Sequence, residues 1–323
     1  MITALSLCFS TSLLARDKLA QTGMMFLNIG VDARAAGMGE AVTSLNLGSA
    51  SQFYNPAGLA AMTEFTDISF THIKWFADMK LNAFSASFSP SLGKYGVFGI
   101  SFVNIDYGDV EGTMVWQNPD GFIDTEILKP AAMAIGLSYA RKLSDKFAVG
   151  GQVRYVSENL GKSIIENLDQ STDLKKNLAN ALAFDFGTQY FTGFKSLIFS
   201  MSVKNFSQEI KYETEGFQLP LLFRIGFSLN LMDFMSMDWQ RSHALWLNLD
   251  ALHPRSHSEQ LNAGLEYCLL NMLYLRSGYL LNYDDCGFSY GFGLRKYNLA
   301  IDYAYTPFDI LDNVQRITIR LFY

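Results

Sequence analysis

Charge is scarce in this chain. Asp, Glu, Lys and Arg make up 17% of its 323 residues, against about 25% in an ordinary soluble domain. So little charge leaves a water-exposed surface poorly covered. Long apolar runs are missing too. Nowhere do about eighteen apolar residues follow one another, which excludes a transmembrane helix. Lys/Arg-rich runs are absent and the net charge is −6, which excludes the basic stripe of a general nucleic-acid binder. The 4 histidines come without a G-x-S-x-G elbow, an H-E-x-x-H helix or a C-x-x-C pair. No catalytic set, metal site or cofactor is therefore expected, and the chain does not read as an enzyme. His253 and His257 flank Pro254-Arg255 in one loop but have no further ligands. Cysteine is limited to Cys8, Cys268 and Cys286. An exported protein could join the last two. The strand order inferred below sets them at opposite ends of the fold, so both are expected to be free, small apolar fillers.

Aromatic residues, by contrast, are plentiful: 26 Phe and 16 Tyr, with a mean hydropathy of +0.10. A chain this apolar that lacks a spanning helix points to strands. Segments of about ten residues recur between turn residues, about fourteen in all, a length that suits a tilted membrane strand. In residues 146–158, Phe147, Val149, Val153 and Tyr155 alternate with Gln152, Arg154 and Glu158. In 179–191, Leu182, Phe184, Phe186 and Tyr190 oppose Asp185 and Gln189. In 221–231, Phe223, Ile225, Phe227 and Leu229 oppose Arg224, Ser228 and Asn230. In 287–296, Phe288, Tyr290, Phe292 and Leu294 oppose Ser289, Gly291, Gly293 and Arg295. A two-residue period places each set on one side of a sheet. The aromatic set would face lipid, and the small and charged set a lumen.

Connection lengths carry a second signal. Short turns fall at 89–95, 142–146, 192–195, 269–271 and Tyr297, and long loops at 106–130, 159–177 and 206–220. With both termini in the periplasm, every long loop lies outside, as in bacterial outer-membrane barrels. The turn at 232–241 is longer, and that at Ala77-Asp78 shorter, than this parity asks. The expected fold is all-β: an antiparallel transmembrane β-barrel of about 14 strands with an N-terminal plug. A soluble β-sandwich would also alternate, but needs more charge on its outer face.

Three regions follow. Residues 1–15 form a short apolar run ending at Leu13-Leu14-Ala15. This reads as a secretory signal, truncated because it lacks a basic start; lipid anchoring at Cys8 is a minor alternative. Residues 16–65 read as the plug and 66–323 as the barrel. Within the plug, residues 24–62 are rich in Gly, Ala and Asn, have no two-residue period, and contain Asn55-Pro56-Ala57-Gly58. At the far end Ile317, Ile319, Leu321 and Tyr323 share one face, and the final residue is aromatic. This resembles the C-terminal signal (Ile319, Leu321, Tyr323) by which the barrel assembly machinery recognises outer-membrane barrels.

The stretch from Phe26 to Ala41 (FLNIGVDARAAGMGEA), followed by Tyr54-Asn55-Pro56-Ala57-Gly58-Leu59, resembles the N-terminus of the PorV/PorQ family. That family is related to the FadL-like outer-membrane barrels. The resemblance implies a fourteen-stranded barrel with an N-terminal hatch. It also implies a place in the type IX secretion system, binding exported cargo proteins for surface attachment. The FadL relatives imply instead the uptake of long-chain fatty acids or other hydrophobic small molecules. The missing basic start departs from the family pattern.

Candidate working residues follow from these readings. Asn55, Pro56, Ala57 and Gly58 form a gate element or simply a helix-starting turn. Gly37 and Gly39 let the plug backbone approach the wall; with no βαβ pattern around them they are no phosphate loop. Arg154, Asp185, Arg224, Asp250, Glu266, Arg276, Arg295, Asp302 and Arg320 fall on the lumen-facing set. Both signs are present, which suits an internally paired, closed bore better than a selective channel. The acidic loop with Asp106, Asp109, Glu111, Trp116, Asp120, Phe122, Asp124 and Glu126 reads as solvated or as a protein contact.

Overall fold

A computed structural model describes residues 22–166, 172–212, 216–235, 242–283, 287–308 and 311–323. The chain runs through β1 (Thr66–Lys74), β2 (Lys80–Phe88), β3 (Val97–Asp106), β4 (Val110–Val115), β5 (Phe122–Leu128), β6 (Ala131–Ser144), β7 (Phe147–Glu166), β8 (Thr172–Phe191) and β9 (Ile198–Phe206). It continues through β10 (Ile210–Lys211), β11 (Gly216–Phe217), β12 (Leu222–Asn230), β13 (His243–Pro254), β14 (Gln260–Leu269), β15 (Leu273–Leu281), β16 (Phe288–Lys296), β17 (Leu299–Thr306) and β18 (Val314–Phe322). Fourteen of these close into an antiparallel barrel in the order β1-β18-β17-β16-β15-β14-β13-β12-β9-β8-β7-β6-β3-β2. β1 and β18 close the ring, with Asp67 opposite Phe322 and Lys74 opposite Gln315. Closure removes both sheet edges, which a sheet in lipid requires.

The outward face is greasy and the inward face mostly small or polar. Phe84, Phe98, Leu137, Phe186, Phe292 and Ile319 are exposed, while Ser69, Ser85, Ser101, Ser138 and Ser289 are buried. The residues with no membrane to cross differ from the sequence expectation. β7 and β8 stay paired from Glu166 and Thr172 downward, so most of the loop expected at 159–177 is a continuing two-stranded ribbon. A register shift between Asn159 and Lys162 marks where the ribbon leaves the cylinder. The loop expected at 106–130 holds the hairpin β4–β5, and that at 206–220 holds β10–β11. The reason is local: once freed from the ring, alternating chain still satisfies its backbone by pairing with itself.

Near the outer end the inward face is not polar. Ile73, Leu81, Val103, Ile105, Ala132, Ala134, Val156 and Ala181 form an apolar layer there. The rule that the inward set is small or charged thus holds only at mid-depth and below.

Leu137, at the middle of β6, is 67% exposed and points to lipid. Leu137→Arg should destabilise the barrel by about 2–4 kcal/mol, read as a lower midpoint of heat-modifiability on a gel. Ser138→Ala, one residue on, should be far milder.

Residues 24–62 lie inside the ring. They contain one helical turn, α1 (Ala33–Gly37), and 3₁₀ turns at Met25–Asn28, Gly48–Phe53 and Pro56–Ala61. α1 rests on β15 to β18, Gly48–Phe53 on β1 to β3, and Pro56–Ala61 on β3 and β6 to β8. Irregular backbone at membrane depth survives only where protein surrounds it.

Candidate functional site

The inner segment turns on itself through a series of short-range backbone hydrogen bonds, and side chains of the wall take up several of its remaining N–H groups. Thr318 Oγ1 accepts from Ala33 N at 2.9 Å, and Ser289 Oγ from Gly39 N at 2.9 Å. One Asp250 oxygen accepts from Val42 N, Thr43 N and Thr43 Oγ1 at 3.0, 2.9 and 2.7 Å. Asp67 Oδ1 accepts from Ser49 N at 2.9 Å. The segment also caps itself. Asp32 accepts from Ala35 N at the start of α1. Asn55 accepts from Ala57 N and donates to the carbonyls of Thr43 and Thr188. Asn55 thus joins two parts of the segment to β8, and fully buried Ala57 follows it.

Close approach fixes where the segment touches the wall. Gly39 has φ +62°, a left-handed conformation that favours glycine. A Cβ on Gly37 would stand 3.0 Å from the Gly291 Cα. Pro56 lies on Gly150 of β7, and Gly58 lies against Ser51 within the segment.

Charges pair from mid-depth down to the inner ends of the strands. Glu266 takes a two-point contact from Arg34, Nη2 to Oε1 at 2.7 Å and Nε to Oε2 at 2.8 Å. It also accepts from Arg276 Nε at 2.6 Å, while Arg276 Nη1 donates to Asp302 at 2.7 Å. Arg154 donates to Asp185 at 2.8 Å and to Asn205. Arg320 Nε donates to Asp67 Oδ2 at 2.6 Å. Arg224 and Lys204 both lie over the Tyr54 ring, 5.8 Å and 5.9 Å from its centroid. Arg295 lies at the inner rim, 3.6 Å from Glu64. Sequence reading alone did not single out Arg34, Asp67 and Lys204. Asp67 was within reach, because it shares the inward period of Ser69 and Thr71. Nothing in the sequence flags Arg34, whose segment has no period.

Cys268 is free and buried; Cys286 and Cys8 lie outside the described residues. His253 sits 3.3 Å from Glu259, and His257 contacts Ser256; among the described residues no group of His, Cys, Asp and Glu has metal-site geometry.

Above the charged level, the apolar layer packs on Met24, Phe26, Leu27 and Val31, with Trp75, Tyr107, Tyr212, Phe217 and Phe308 around it. Two outer loops meet there on one carboxylate. Tyr107 Oη donates to Glu158 Oε1 and Tyr212 Oη to Oε2, both at 2.8 Å. Burial first, and the Glu158 contact with it, pushes both phenols well above the ordinary range near 10. A raised folded value means the stabilisation is full below pH 10 and is lost as pH rises through that value. The double variant Tyr107→Phe/Tyr212→Phe should be less stable below pH 10, toward the lower end of about 1.5–3 kcal/mol per bond since both phenols are only half-buried. The gap to wild type should narrow above pH 10, as thermal midpoints across the pH series would report.

The β4–β5 hairpin leans on the outer part of β7, where Lys162 Nζ lies 4.0 Å from Glu126 Oε1. Val115, Trp116, Phe122 and Ile127 are all exposed on it.

A search of the curated proteins finds no match. The chain shares its fold with the Ralstonia pickettii toluene transporter TbuX, with TM-score 0.61 and 13% identity over 91% of this chain and 98% of that one. The CymD monoaromatic hydrocarbon channel gives 0.60 and 12%, and a Pseudomonas aeruginosa FadL homologue 0.52 and 12%, each over 91% of this chain and 98% of the other. The family model described as type IX secretion system protein PorV matches residues 14–242, taking in the inner segment and the wall through β12. The chain is therefore an outer-membrane β-barrel, and it belongs to the PorV family.

Proposed function

We propose that this barrel is a component of the type IX secretion system that engages exported cargo proteins at the cell surface and holds them for attachment. The observation that carries the reading is the combination of a bore closed at mid-depth with an apolar hairpin exposed outside. The Arg34–Glu266–Arg276–Asp302 network crosses from the inner segment to β14, β15 and β17. A solute moving straight down would have to break it. Exposed Val115, Trp116 and Phe122 offer instead the aromatic, apolar anchor of a protein contact. Residues 16–65 serve as the plug. Asn55-Pro56-Ala57-Gly58 anchors it to the wall, and Gly37 and Gly39 are its points of closest approach. Ile319, Leu321 and Tyr323 are the residues that the barrel assembly machinery reads. The chain carries out no catalysis of its own.

The test is capture of exported proteins bearing a C-terminal signal domain by the purified barrel. Trp116→Glu/Phe122→Glu should reduce capture at least tenfold with the fold unchanged, as heat-modifiability reports. Undiminished capture would remove the hairpin from the reading, and no capture by wild type would remove the reading itself.

The apolar layer around Phe26, Leu27 and Ile105 supports a second reading, a conduit for hydrophobic solutes. Saturable binding of a fluorescent long-chain fatty acid, abolished by Leu27→Asp, would favour it.

A further inference from the structure

The lipid-facing side of β1 and β2 changes character step by step toward the outer end. Outward positions of the two strands lie directly across the ladder from one another: Thr66 from Phe88, Phe70 from Phe84, His72 from Asn82, and Lys74 from Lys80. Phe70 and Phe84 are exposed to lipid. One step above them, His72 Nδ1 and Asn82 Oδ1 meet at 2.8 Å. One step higher stand the two lysines, both exposed. Each two-residue step rises roughly 5 Å along the membrane normal at the usual strand tilt. The lysines are four steps, roughly 20 Å, above the Thr66–Phe88 pair, which sets their ammonium groups at the outer boundary of a hydrocarbon band about 25 Å tall.

Like charges directly opposite one another destabilise a sheet. Other lysines on the outer side have a carboxylate near: Lys129 Nζ lies 3.6 Å from Asp109, and Lys162 Nζ 4.0 Å from Glu126. Among the described residues, Lys74 and Lys80 have none within that distance. Two carboxylates are close by in the chain. Asp106 is directly across the ladder from Lys80, but it is engaged in its own turn, where Oδ1 accepts from Gly108 N at 3.0 Å. Asp78 is exposed in the turn between the strands. Followed sideways, the rung reads Tyr305, Gln315, Lys74, Lys80, Asp106 and Ala131. The two cations are therefore adjacent, and uncharged side chains flank them on the β18 side.

Apolar, then polar, then cationic is the order that matches an amphiphile with an anionic head. We propose that Lys74 and Lys80, with His72 and Asn82 beneath them, bind a phosphate group of a glycolipid in the outer leaflet, whose acyl chains lie along Phe70 and Phe84. A phosphate between the two ammonium groups relieves their repulsion, and each lysine beside an anionic head group adds to the attraction. The outer leaflet of this membrane is where phosphorylated glycolipids reside, at the level the lysines reach. The site faces outward from the wall and uses neither the bore nor the β4–β5 hairpin. It rests on the location of the barrel, not on cargo binding.

The test is native mass spectrometry of the intact barrel in detergent, titrated with purified lipid A. Lys74→Gln/Lys80→Gln should bind it about tenfold to thirtyfold more weakly than wild type. Lys162→Gln/Lys176→Gln removes another pair of lysines opposite one another, on the ribbon beyond the barrel, and should bind like wild type. Lipid A stripped of its phosphates should bind wild type as weakly as the Lys74/Lys80 variant binds the intact lipid. Both lysines are exposed, so the substitutions should leave the fold unchanged, as heat-modifiability reports. Undiminished binding by the Lys74/Lys80 variant overturns the proposal, as does equal binding of the phosphate-free lipid. Inorganic phosphate that competes at the concentration lipid A itself needs would make this a free-anion site and overturn the lipid assignment.

Discussion

Glu266→Ala is expected to be among the most destabilising single changes in this barrel. Glu266 is 1% exposed and pairs with both Arg34 and Arg276, the second of which also holds Asp302. Its removal leaves guanidinium charge buried without its partner, a situation worth about 3–5 kcal/mol. Desolvating an ion pair is expensive, but half a pair is costlier still. The comparison with Asp302→Asn sharpens the test. Arg276 then keeps Glu266, so the loss should be clearly smaller. Thermal midpoints in detergent, scored by heat-modifiability, give the order directly. Equal effects would mean the network does not act through Glu266. The same variant should also loosen the inner segment, since Arg34 is its main charged tie to β14. Protease sensitivity within residues 24–62 should therefore rise with the loss of stability.

A second large effect is expected from two adjacent glycines with opposite outlooks. A Cβ at Gly150 would overlap the backbone of Pro56 and Ala57, whereas one at Gly151 would make ordinary contacts at 3.7 Å and 3.9 Å. Backbone cannot swing aside as a flexible side chain can. Gly150→Val should therefore push Pro56–Ala61 off the wall while β7 keeps its ladder. Overpacking of this kind costs about 1–3 kcal/mol. The functional readout is larger than the energetic one: a displaced inner segment leaves open bore, so single channels should appear in planar bilayers where wild type passes no resolvable ion current. Gly151→Val should be silent. If both variants stay closed, the inner segment is not what seals the bore.

The fold was legible because strands impose a two-residue period that turns composition into geometry. Phe184, Phe186 and Tyr190 against Asp185 and Gln189 already specify a sheet with one greasy and one polar side. The parity of long and short connections adds which end is outside. The apolar outer layer was harder to see. Ile105 and Val103 look like lipid-facing residues by composition, yet they share the two-residue period of Ser101 and point inward, where Phe26 and Leu27 meet them. The ribbon formed by β7 and β8 was hidden for a similar reason. Nothing local separates a strand that ends at the bilayer from one that keeps pairing beyond it.

The sequence by itself determined the architecture: scarce charge, no spanning helix and alternating ten-residue segments lead to an outer-membrane ring of strands. Only the tertiary structure decided what fills that ring. Arg34 and Glu266 are 232 residues apart, and Asp67 and Arg320 253. Pairing over such separations is set by strand register and ring closure, which no local period encodes. The inner segment forms its own turns, but where those turns sit is set by wall side chains such as Thr318, Ser289 and Asp250, which only the closed ring brings to them.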